Sequence, residues 1–363
     1  MNSKERVYAS LNRNNPDRVP VWMWYHPETV QMMAQKLEIP PSYVSYALED
    51  DIRQAWVSNN YAMEGIVHQH DGESHTDQWG IRWVKVGPFN QIAHYPLADA
   101  TVEEISDYRF PADRIQELLQ NMNPVVALKD DYFIGCDVSP CLFELVCRLR
   151  NMQNAILDFL VNPEIMDGLL EKASDFGVAL SQAAIDRFDL DCLWTGDDVG
   201  GQQAMILDPA LWRDRVKPHL KRIIEVGKAK NLWIAYHCCG VVRPIIPDLI
   251  EIGVHILNPV QANCPGMDSL DLKKEFGHAL TFMGGIDTQE LLPNGTASEV
   301  RKETERVIEG MMAGGGGYIL AASHAVPPET SVENIFAMYE PAGISKEKIM
   351  DNAADIRQKL RNA

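Results

Sequence analysis

The stretch Leu232-Trp233-Ile234-Ala235-Tyr236-His237-Cys238-Cys239-Gly240 decides the fold. Its apolar run is too short for a helix and ends at a glycine, so it reads as a buried strand giving way to a loop. At its end stand an imidazole and a thiol two residues apart, both metal-ligand chemistries. The run Gly317-Tyr318-Ile319-Leu320-Ala321-Ala322-Ser323-His324 repeats that plan. If both strands belong to one barrel, His237, Cys239 and His324 converge on one mouth.

Working outward, short apolar runs recur along the chain at Val19–Trp24, Tyr132–Cys136, Leu190–Trp194, Val254–Asn258 and Leu280–Gly284. Gly, Pro, Asp or Asn bounds them, as expected of buried parallel strands. Between them lie amphipathic stretches with apolar residues at a period near 3.6, clearest over Pro163–Arg187, Pro209–Lys230 and Ser298–Gly310. Alternating strands and helices imply βαβ units and a parallel sheet. Seven strands are visible, and the eighth is expected near Gly65-Ile66-Val67-His68. The fold class is therefore α/β, a single (β/α)8 TIM-type barrel with an N-terminal extension, spanning residues 1–363 as one domain. A doubly wound open sheet is the competitor, but no G-x-G-x-x-G or P-loop follows any strand. Gly314 to Gly317 precede the last strand and read as a turn at the barrel bottom. Asp77 to Val84 alternates apolar and polar residues and reads as a β-hairpin excursion near the mouth.

Active sites of such barrels form at the C-terminal strand ends. The list of strand ends is therefore a site expectation: Asp137, then Asp197 and Asp198, then His237 with Cys239. Asn258 and Gln261 follow, then Gly285 and Asp287, and finally Ser323 and His324. A barrel serving only as scaffold has no need of such a polar ring. Extended backbone at His237 and Cys239 points both side chains one way and Cys238 into the wall. With His324 they make a three-ligand zinc site with an open fourth position. A strand-end histidine is also a common hydrogen-bonding substrate contact, so spacing alone leaves both readings open. Of the adjacent Asp197 and Asp198, one is expected in the site and the other as a helix cap. Asp287 carries the same two readings.

Bulk properties exclude several function classes. The chain has 363 residues, 46% hydrophobic and 23% charged, enough for a large core. A formal net charge of −18 opposes broad contact with nucleic acid or an anionic membrane. No run reaches the roughly 18 apolar residues of a membrane span, and the first residues lack a secretory h-region. Seven cysteines, an odd number, read as reduced thiols of a cytoplasmic protein. Cys136 and Cys192 fall inside strands and are expected in the core.

Several motifs in order resemble the uroporphyrinogen decarboxylase-like superfamily. They are Thr195-Gly196-Asp197-Asp198, Tyr236-His237-Cys238-Cys239-Gly240, Ile256-Leu257-Asn258-Pro259-Val260-Gln261 and Gly284-Gly285-Ile286-Asp287. The closing Gly317-Tyr318-Ile319-Leu320 to Glu333-Asn334-Ile335 completes the series. That superfamily holds metal-free decarboxylases and zinc methyltransferases that act with corrinoid proteins and coenzyme M. The decarboxylases clamp their acidic tetrapyrrole with N-terminal arginines, and the matching Val21–Glu28 has none. The methyltransferases carry zinc on a His-x-Cys pair plus a distant Cys; His237 and Cys239 match the pair, and His324 stands near the distant position.

The resemblance thus implies a zinc methyltransferase exchanging a methyl group between a corrinoid on a partner protein and a small thiol, methyl ether or amine. In this reading His237, Cys239 and His324 hold Zn2+, while Asp198, Asp287 and His237 are the catalytic candidates. Asp197, Gln202, Tyr236, Asn258 and Gln261 are the substrate-binding candidates, and a homodimer is an expected assembly. The alternatives are a metal-free decarboxylase acting on another carboxylic acid and a non-catalytic binding module.

Overall fold

The computed structural model describes residues 1–362. Ten strands form, in chain order: β1 Ile52–Trp56, β2 Ser74–Thr76, β3 Arg82–Val86, β4 Phe89–His94, β5 Phe133–Asp137, β6 Cys192–Gly196, β7 Trp233–His237, β8 Ile256–Val260, β9 Thr281–Ile286 and β10 Tyr318–Ala322. Seven of them make one parallel sheet in the order β1-β5-β6-β7-β8-β9-β10, with helices between successive members.

The eighth position of the barrel is filled by residues 19–25. They bridge in parallel to the last strand at Val21–Leu320 and to the following loop at Tyr25–Val326. On the other side, the Asp51 N–H donates to the Val21 carbonyl at 2.7 Å. This corrects the expected eighth strand near Gly65–His68. Ile52–Trp56 is the strand the sequence hid, because its composition, Ile-Arg-Gln-Ala-Trp, is too polar to read as a buried run. Residues 61–65 form a wide helical turn instead.

The closing seam has a dedicated anchor. Asp51 is fully buried and takes Arg6 at 2.6 Å, Arg18 at 2.7 Å and the Val21 N–H at 2.8 Å. A buried carboxylate needs such partners to offset its lost hydration. The helix Ser3–Leu11 plugs the barrel bottom, with Val7 and Leu11 packed among Ile52, Phe133, Cys192, Ile256 and Ile319. The four glycines before β10 lie against this plug, where Gly317 N–H donates to Ser10 O.

Strand side chains alternate faces, so every second residue looks into the lumen. The inner set includes Ile52, Phe133, Cys192, Trp194, Ala235, Met283, Ile319 and Ala321. Extending that parity upward puts Gln54, Trp56, Asp137 and His237 on the inner face at the top. The excursion is larger than the expected hairpin: β2, β3 and β4 make a three-stranded antiparallel sheet beside the mouth.

Candidate metal centre

The register of the sheet sets the centre. Gly196 pairs with His237, and His237 pairs with Asn258, so three neighbouring strands end level. His237 Nδ1 lies 2.8 Å from Asn258 Oδ1. An amide oxygen only accepts, so Nδ1 is the donor in this bond and Nε2 is the ring nitrogen turned to the other side. Nε2 faces Cys239 Sγ at 3.5 Å and Asp198 Oδ1 at 3.9 Å. Ligand atoms of Asp198, His237 and Cys239 all lie within 4.8 Å of one another.

The loops carrying these groups are pressed together. A Cβ on Gly200 would meet Cys239 O at 2.4 Å, and one on Gly240 would meet Gly201 O at 2.5 Å. Only glycine permits that approach. It lets the Cys239 N–H donate to Asp198 Oδ1 at 2.8 Å, which aims the carboxylate at the His-Cys pair. Burial, then the charge of Asp198, pushes the Cys239 thiol well above its ordinary pKa. A cation among these donors reverses that bias, since a coordinating thiol is deprotonated.

His324 departs from the expectation. It lies outside the close donor group and stacks its ring on Trp24 at a centroid distance of 4.7 Å. It keeps surface open to the mouth, yet the surrounding protein, then nearby His237, pushes its pKa down to about 4. It is therefore a neutral wall residue of the same cavity, and Asp198 stands in the close donor group in its place.

Other expected residues also take different positions. Asp197 is buried and accepts N–H bonds from Phe143 and Glu144, capping a helix more than fifty residues earlier in the chain. Burial pushes its pKa up to about 8, and it has no path to a substrate. Tyr236 is fully buried and donates to the Asp197 carbonyl, so its role is in the wall. Asn258 orients His237. Gln261 accepts the Gly240 N–H at 2.9 Å and donates to Gln202 Oε1 at 2.9 Å, tying down the ligand loop without lining the cavity. Asp287 accepts from the N–H groups of Gln289, Glu290 and Leu291, which makes it the cap of its own turn. Of the three catalytic candidates, Asp198 and His237 come together and Asp287 does not.

The cavity beside the donors is lined by Asp137, Asp198, His237 and His324 of the strand-end list and by other residues that list missed. Asp137 was on that list and is there, held by Ser139 and Gln54. Trp22, Trp24, Trp56 and Trp194 form much of the wall, with Glu64, Glu144 and Arg148. Glu144 accepts the Asp198 N–H and pairs with Arg148. Trp22 and Trp24 were legible, because they alternate within an expected strand and so share a face. Glu64, Glu144 and Arg148 carried no local signal.

The uroporphyrinogen decarboxylase (URO-D) family matches residues 80–342. The chain belongs to that family. Its similarity to two methylcobamide:CoM methyltransferases is weak but nearly full length. The one from Methanosarcina mazei is 22% identical over 93% of this chain and 97% of its own. The one from Methanosarcina acetivorans is 22% identical over 87% and 92%. A uroporphyrinogen decarboxylase from Thermus thermophilus is 25% identical but spans only 47% of this chain and 45% of its own. A solved methyltransferase from Methanosarcina mazei superposes with a TM-score of 0.66 at 17% identity, covering 94% of this chain and 98% of that one. It shares the fold. Among the described residues no helix is long and apolar enough to cross a membrane.

Proposed function

We propose that this family member is a zinc-dependent methyltransferase that moves a methyl group between a corrinoid on a partner protein and a small molecule. The observation that carries the proposal is the trio Asp198, His237 and Cys239, with the histidine tautomer fixed by Asn258. A sulfur, a nitrogen and an oxygen donor, with a hydrogen-bonded second partner for the imidazole, fit zinc and leave a position for substrate. Zinc bound there supplies Lewis-acid activation of the heteroatom that gains or loses the methyl group.

The protein's own groups do the rest. Asn258 takes His237 Nδ1 and so turns Nε2 toward the donor group, the Cys239 N–H fixes the Asp198 carboxylate, and Gln202 with Gln261 holds the loop between them. The near-full-length likeness to methyltransferases, against half-length likeness to decarboxylases, supports this branch. The cavity wall also disfavours decarboxylation of an acidic substrate. Glu64, Asp137, Glu144 and Asp198 line it against one arginine, Arg148, that is already paired with Glu144. Seven free cysteines suit a reducing cytoplasm. We take the whole chain as one barrel domain.

Elemental analysis tests the proposal. Protein purified without chelator should hold near-stoichiometric zinc, and Cys239→Ser should lose most of it while keeping its circular dichroism. A native protein that refuses zinc on titration removes the reading.

A further inference from the structure

The wall beside the donor trio has a composition of its own. Segment 19–25 contributes Trp22 and Trp24, β1 ends in Trp56, and β6 contributes Trp194. The indoles pair off, Trp22 with Trp194 at 5.2 Å and Trp24 with Trp56 at 5.5 Å in an edge arrangement. All four indoles line one cavity, with Trp22 and Trp194 covering each other and His324 set against one side of Trp24 at 4.7 Å.

The polar part of that wall is anionic. Glu64, Asp137, Glu144 and Asp198 stand against Arg148, whose guanidinium is consumed by Glu144, Asn59 and Asn60. Burial raises the Glu64 and Asp137 carboxyls above their ordinary pKa, Asp137 to about 6. Placing carboxylates at a low-dielectric aromatic wall is costly unless a positive charge joins them.

Size narrows the ligand. The inner cavity has a volume of about 60 Å3. At ~10–15 Å3 per water-sized sphere that is room for roughly four to six such groups. It adjoins an outer vestibule of about 400 Å3 that shares Met63, Glu64, Arg148 and His324. A compact head group fits the inner space, and its substituent extends into the vestibule.

We propose that the tryptophan and carboxylate wall is a recognition site for a small organic cation bearing a methylated ammonium head group. Indole faces attract a diffuse cation through their quadrupole, with Trp the strongest of the aromatic partners. N-methyl groups suit such faces because they carry the charge on apolar surface that needs no hydrogen bond. Glu64 and Asp137, spent neither on the donor trio nor on Arg148, supply the counter-charge. As a substrate assignment the inference rests on the methyl-transfer reading, with the neutral amine, whose nitrogen lone pair takes the methyl group from the methylated corrinoid, as acceptor and the ammonium compound as product. As a binding site it stands without it.

The test is equilibrium binding, with no turnover. Choline, its uncharged carbon isostere 3,3-dimethylbutan-1-ol, and ethanolamine are titrated into the full-length protein by calorimetry and by tryptophan fluorescence. Choline should bind at least about tenfold more tightly than either of the others and should change the indole emission. Trp24→Leu and Trp56→Leu should each weaken choline by about five- to thirtyfold, with Trp24→Phe recovering part of the loss. Glu64→Gln should weaken choline and leave the isostere alone. All four variants should keep the native circular dichroism and zinc content. Equal binding of choline and its isostere, tighter binding of ethanolamine, or folded tryptophan variants with unchanged choline affinity would overturn the inference. None of these results touches the zinc measurement, so the two readings fail separately.

Discussion

The mouth of the barrel has two halves built on different principles. On one side, β6, β7 and β8 bring Asp198, His237 and Cys239 together through backbone register and glycine-thin loops. On the other, segment 19–25 and β1 present tryptophans beside a set of carboxylates. The first half is defined by a few atoms at ligand distances. The second is defined by surface and charge, with no single contact that names it. Metal chemistry needs a local, directional arrangement, while recognition of a diffuse cation needs a wall.

The halves should also fail differently, and three substitutions probe the difference. The largest effect is expected at the seam that carries Trp22 and Trp24. Asp51→Ala removes the buried carboxylate shared by Arg6, Arg18 and the Val21 N–H, leaving the arginines only Asp17 and Glu49 as ion-pair partners, and should cost about 3–5 kcal/mol of folding stability. Urea denaturation measures it. A loss below ~1 kcal/mol would mean that the aromatic half does not depend on this anchor.

Next comes Asp137, the carboxylate on the aromatic side whose folded pKa is pushed to about 6 by burial. The folded protein then holds a proton that the unfolded chain, with a pKa near 4, has released. Stability from this group is therefore complete below about pH 4, falls as pH rises, and levels off above about pH 6. The full decline is on the order of 3 kcal/mol. Asp137→Asn should flatten the pH dependence of stability across that window. An unchanged slope would show that Asp137 is well solvated.

The smallest effect belongs to the donor half. Asn258→Ala removes the bond that fixes the His237 tautomer and should weaken zinc by about 10–100-fold, leaving choline binding intact. Competition with a chromogenic chelator reads it. A variant that loses both zinc and choline would merge the two halves into one site.

Much of this molecule was readable from local pattern. The runs ending in Cys136, Trp194, His237, Asn258 and Gly284 are strands because buried parallel strands must be apolar on both faces, and that demand shows in five residues. The His-x-Cys pair was readable for the same reason, since extended backbone sends i and i+2 one way. Ile52–Trp56 stayed hidden because its inner face carries Gln54 and its outer face Arg53, which stacks between Tyr46 and Tyr132. Aromatic neighbours from elsewhere in the chain make a buried arginine tolerable there, and no pattern in five residues announces that.

The sequence by itself determined most of the strand-helix alternation and the two candidate donors that sit two residues apart. Hydrophobic period and backbone geometry are local properties, so a local reading recovers them. Tertiary structure alone decided that Asp198, and not His324, lies in the close group with that pair. It also decided that Asp197, Tyr236 and Asp287 are spent on capping and packing. Those outcomes depend on which loops lie side by side, across gaps of about forty residues between Asp198 and Cys239 and more than fifty between Asp197 and the helix it caps. Barrel closure settles them, because it alone fixes which strand end becomes the neighbour of which.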